Sequence, residues 1–134
     1  GWNEEFGNGC PGSAGVPDMR AQTEPTVGRT FIFQLANCAP ATLLRLVVVG
    51  LSNTVAGGSP LPAPLGSLGM PGCSLLVSIN FNPSCGQDGY GVIRIPNAAM
   101  YDGMGFFMQG FAIEPGVNPG GMISSNGLHC VVGM

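Results

Sequence analysis

Glycine and proline fall so often along this chain that they dictate its class. Gly 23 and Pro 12 in 134 residues cut it into short apolar runs, and a helix interior tolerates neither residue well. Such a proportion normally signals disorder. An apolar fraction of 45% opposes that, because disordered chains are poor in residues to bury. Short apolar runs between breakers mark an all-β domain with many turns. The length suits a single domain with its own core.

The runs read as strands. Gly69-Met-Pro-Gly72 is a turn, and Cys73 opens the stretch that follows it. There Leu75, Val77, Ile79 and Phe81 alternate with polar Ser78 and Asn80, the period of a half-buried strand. Gly28 to Asn37 alternates in the same way, with Phe31, Phe33 and Leu35 on one face. Thr42 to Leu51 is apolar on both faces apart from Arg45, which predicts a central strand covered on both sides. Gly89 to Ile95 follows, with either Ile93 and Ile95 or Tyr90 and Val92 inward. Met104 to Glu114 is apolar on both faces except at Gln109. In Gly127 to Gly133, Leu128, Cys130 and Val132 share a face. Between them, 52–72 reads as an ordered crossover, with Leu61, Leu65 and Leu68 tucked against a sheet. Six or seven strands at this spacing predict a single antiparallel β-sandwich over 27–134. Residues 1–26, broken by Pro11, Pro17 and Pro25, read as an extended N-terminal arm.

Charge removes whole function classes. Seven acids face four arginines, with no lysine, so no basic surface exists to displace counterions from nucleic acid. The longest apolar run, around Leu46 to Val49, ends at Arg45 and Gly50, well short of the ~20 residues that span a bilayer. No membrane insertion is expected. Little charge also means little to keep copies apart, which points to self-association. The chain begins Gly-Trp-Asn-Glu-Glu and is expected to be a mature, processed form. Five cysteines place it in an oxidising, extracellular setting.

Several motifs together resemble a recurring domain of secreted planctomycete and myxobacterial proteins. They are Gly9-Cys-Pro-Gly-Ser13, Leu65-Gly-Ser-Leu-Gly-Met-Pro-Gly-Cys73 with Leu75-Leu-Val-Ser78, Ile95-Pro-Asn97, Phe107-Met-Gln109, Pro115-Gly-Val-Asn118 and Ser124-Ser-Asn-Gly-Leu128. The resemblance implies a secreted, non-catalytic β-sandwich with no assigned activity, and maps the family's paired cysteines onto Cys10 and Cys73. If the strands run up and down in order, Cys10 reaches Cys73 at one end, and Cys38 and Cys85 lie at the other as a second bridge. Cys130, mid-strand on the Leu128 face, is then a buried free thiol.

Chemistry finds few footholds. Gly7-Asn-Gly-Cys-Pro-Gly12 spells GxGxxG, but it follows no strand and opens no helix. His129 is the sole histidine and is expected on the face opposite the core, without the nucleophile and orienting acid a catalytic base needs. The carboxylates are scattered. Asp88 and Asp102 offer oxygen ligands without calcium-loop spacing, so no metal or other cofactor is expected. Trp2 and Phe6 are apolar anchors in a polar arm, and they pack on their own domain or on a neighbouring subunit. The reading is a secreted structural subunit, not an enzyme, that polymerises with itself into an extracellular filament or surface layer. The alternative is a carbohydrate- or surface-binding module.

Overall fold

The computed structural model describes residues 1–134 and is all-β, with antiparallel sheets. Its only helical segments are two single 3-10 turns, Gly66–Leu68 and Ala99–Tyr101, so no helix is long and apolar enough to cross a membrane. Eleven strands form in chain order: β1 (Trp2–Phe6), β2 (Asp18–Ala21), β3 (Thr30–Ala36), β4 (Leu44–Gly50), β5 (Val55–Ala56), β6 (Ser59–Pro60), β7 (Ala63–Pro64), β8 (Ser74–Leu75), β9 (Tyr90–Arg94), β10 (Gly105–Ile113) and β11 (Met122–Val131). One sheet has the order β1-β11-β10-β4 and the other β2-β3-β9, while β5-β6 and β7-β8 are small hairpins.

The two large sheets face each other across one core. β3 supplies Phe31, Phe33 and Leu35, alternating with outward Thr30, Ile32 and Gln34 as its period of two dictates. Val47, Val49, Phe106, Met108, Leu128, Cys130 and Val132 meet them from the four-stranded sheet. The shared inward face of Leu128, Cys130 and Val132 is thus as the sequence predicts. Gly110 is pressed against Leu35 and has no room for a Cβ.

A third layer lies on the outer face of the four-stranded sheet. There Val48, Phe111, Ala112 and Ile123 are covered by Met70, Leu76 and Val77 from the long segment after β4, together with the Cys10–Cys73 pair. This layer explains why β4 is apolar on both faces although it is a sheet edge and not the central strand expected. The central strand with both faces buried is β10. Leu65 also packs here, but Leu68 is exposed.

Three further expectations change. The strand expected over Cys73 to Phe81 is only Ser74–Leu75 long. Adjacent Leu76 and Val77 are the buried pair, while Ile79 is 62% and Phe81 58% exposed. The cause is where the backbone bonds go. Leu76 N–H donates to the Gln109 side chain, 2.9 Å away, instead of to a strand. Ser78 Oγ takes the N–H groups of Leu51 and Ser52, each at 3.1 Å, which bends the chain out of strand geometry. Residues 1–26 do run extended, but they are woven into the sandwich instead of lying apart from it. β1 pairs with β11 along its length and β2 pairs with β3. Consequently Gly1 lies against Gly133, and the chain ends sit side by side. The strands also do not follow one another up and down, since β3 and β4 belong to different sheets.

Candidate functional site: the open side of the sandwich

β4 and β9 are edge strands of opposing sheets, and both lie on the side away from β1 and β2. No strand closes the gap between them. The gap is an apolar groove of about 290 Å³, lined by Val49, Leu51, Phe81, Ile93, Ile95, Pro96, Tyr101, Met104, Phe106 and Val132, with Arg94 as its one charged residue. A shallower hollow continues it past Asn82, Pro83 and Val92. Phe81 is held there because its N–H and C=O exchange bonds of 2.9 and 2.8 Å with Val49. Its side chain therefore lines the opening and stays exposed instead of entering the core. Around the rim, Leu51, Val92 and Met104 are exposed. An apolar surface of this kind is a candidate interaction site. The groove holds no cluster of polar groups able to orient a small substrate.

A second feature lies on the outer face of the four-stranded sheet. Trp2 meets His129 edge-on at 5.0 Å, His129 stacks on Phe107 at 4.4 Å, and Phe107 meets Phe6 edge-on at 6.0 Å. Trp2 and Phe6 thus pack on their own chain. Gly127 lies directly beneath the Phe6 ring, where a side chain would collide with it. His129 faces away from the main core as expected, but it is enclosed by rings, and no hydroxyl or carboxylate bonds to it.

The cysteines divide three ways. Cys10 and Cys73 are bonded, with Cα atoms 5.0 Å apart, and Cys10 N–H donates to Ser124 O at 2.9 Å. Cys38 and Cys85 are free, half-buried thiols and not the second bridge expected. They are still neighbours. Burial raises the Cys85 pKa, Arg45 opposes that, and Cys38 adds to it. Their thiols are turned toward backbone carbonyls, Cys38 to Ala36 O and Cys85 to Gly89 O. Cys130 is buried and free, and burial pushes its pKa up to about 12.

The acids do not converge on a metal site, since no three histidine, cysteine or acidic side chains are grouped. Asp88 accepts from Tyr90 N–H at 3.0 Å. Glu114, buried at the end of β10, accepts from Ser13 Oγ at 2.8 Å. Glu5 lies beside Asp18, and hydrogen bonding to Asp18, then burial and the Asp18 charge, raise its pKa. Arg20 and Asn126 act in the opposite direction. Sequence reasoning missed the groove because alternation cannot distinguish a core-facing stripe from an exposed one. Phe81 carried the same pattern as a buried residue. The chain matches no protein-family model, no curated protein and no solved structure.

Proposed function

We propose that this protein is a secreted, non-catalytic structural subunit that associates with copies of itself in an extracellular filament or surface layer. The observation that carries the reading is the unclosed β4/β9 side, where an apolar groove is bordered by exposed Leu51, Phe81, Val92 and Met104. Desolvating such a surface is favourable at roughly 25 cal/mol per Å² of apolar area. Only four arginines and seven acids oppose association by charge. The disulfide supports an oxidising compartment. The enclosure of His129 by rings supports the absence of catalysis.

The test is light scattering and electron microscopy of the oxidised protein across a concentration series. Concentration-dependent assembly is expected, and Phe81→Asp should raise the concentration needed at least tenfold by placing a charge in the groove. A wild-type protein that remains monomeric at millimolar concentration overturns the reading. A second reading, carbohydrate or surface binding, is favoured by the ring column ending in Trp2, which is 47% exposed. Those rings meet edge to face and form no flat platform. Loss of glycan binding in Trp2→Ala, with assembly unchanged, would favour it.

A further inference from the structure

We infer that the groove side receives the opposite side of a second copy, so that molecules join head to tail with the β1 edge of one added to the β9 edge of the next. This rests on the self-association proposed above and specifies its geometry. Backbone alternation shows which edges are open. Val132 donates to Met104 O at 2.9 Å and accepts from Gly103 N at 2.7 Å, so even-numbered residues of β11 face β10 and odd-numbered ones face β1. Given the register of Trp2 with Val131, Glu4 with His129 and Phe6 with Gly127, β1 turns the backbone groups of Asn3 and Glu5 outward. In the other sheet, Leu35 N–H donates to Gly89 O at 2.8 Å, so β9 turns those of Val92 and Arg94 outward. No backbone bond from a turn or loop reaches any of these four residues.

The neighbouring edges are partly closed. Asn126, at an irregularity of β11 opposite Gly110, reaches to β2. Its Oδ1 accepts from Met19 N at 2.9 Å, and its Nδ2 donates to Met19 O at 3.1 Å. β4 is closed at Val49 by Phe81, and Val47 is fully buried. β1 and β9 are therefore the strands left with two successive outward positions free for pairing.

Charge and side-chain parity select the partner. The β1/β2 side carries Glu4, Glu5, Asp18 and nearby Glu24, with Arg20 tied to Asp18 at 2.8 Å. The β9 strand itself carries one charge, Arg94, exposed and in no salt bridge, while Asp88 before it is turned back onto Tyr90 N–H and Asp102 follows Tyr101. Two β1 edges meeting antiparallel would set Glu4 or Glu5, according to register, against its own copy, which is unfavourable. Pairing through the outward groups places Asn3 and Glu5 on the same face as Val92 and Arg94, where opposite charges meet. It places Trp2, Glu4 and Phe6 on the Ile93/Ile95 face, which lines the groove. A contact between different patches leaves one of each unused at the two ends, and its repetition yields a filament unless the rotation closes a ring.

Charge exchange tests this. Glu5→Arg and Arg94→Glu should each raise the assembly concentration at least tenfold. Their equimolar mixture should assemble as an alternating copolymer, and the Glu5→Arg/Arg94→Glu double variant should assemble alone. Hydrogen exchange on wild-type assemblies guards against a Glu5→Arg variant that simply frees β1. The Asn3, Glu5, Val92 and Arg94 amides should become protected together. Assembly that leaves all four unprotected overturns head-to-tail pairing while self-association stands. A wild-type protein that never assembles overturns both.

Discussion

Gln109 is the lone polar side chain in the two-sided apolar run of β10, and it is fully buried. Its Oε1 accepts from Leu76 N at 2.9 Å, and its Nε2 donates to Ser74 O at 2.9 Å and Ser125 O at 3.0 Å. One side chain thus satisfies three backbone groups that no strand serves, and it rivets the outer layer to the sheet. Leaving such groups without partners costs about 1–3 kcal/mol each. Gln109→Leu should therefore destabilise by about 3–5 kcal/mol in urea titration. Cys130 makes a pH prediction of definite sign. Burial lifts its pKa from 9.0 to about 12, so the folded chain keeps a proton that the unfolded chain releases. Its contribution is complete below the unfolded value and is lost as pH rises toward 12. Stability should fall by up to about 1.4 kcal/mol per pH unit across that window. Cys130→Ala should flatten this part of the profile, and iodoacetamide should label Cys38 and Cys85 well before Cys130.

The elements differ in how plainly they were written. β3 and the end of β11 follow strict alternation because one face meets the core and the other does not, and Phe31, Phe33, Leu35, Leu128, Cys130 and Val132 could be assigned directly. β4 was misassigned as central because a strand covered by a loop layer and one flanked by strands present the same apolar pattern. The segment after Cys73 failed for the complementary reason. Its backbone bonds go to side chains of Gln109 and Ser78, a long-range arrangement that local periodicity does not encode. The groove was illegible because β4, Phe81 and β9 meet only in the fold. β1 makes its own prediction. The Glu5 pKa is raised, so the attachment of β1 is favoured in mild acid and weakens as pH rises through that folded value. Glu5→Gln should remove this dependence, leaving β1 amides at pH 7 exchanging no faster than in the wild type.

At the scale of the molecule, three layers depend on one covalent link. The Cys10–Cys73 bond closes 63 residues, which corresponds to about 4 kcal/mol of loop-closure entropy in the unfolded chain. It joins the segment between β1 and β2 to the outer layer. Reduction, or Cys10→Ser with Cys73→Ser, should lower stability by about that amount, with the outer layer gaining hydrogen exchange before the facing sheets do. The meeting of Gly1 with Gly133 has a practical consequence for anyone handling this protein. A purification tag or fused domain on either end emerges beside β1, so either attachment stands in front of that edge. A chain whose present ends are bridged by a short linker, with new ends opened at the exposed Gly57-Gly58 turn, would carry its tags on the hairpin instead and leave both edge strands unobstructed.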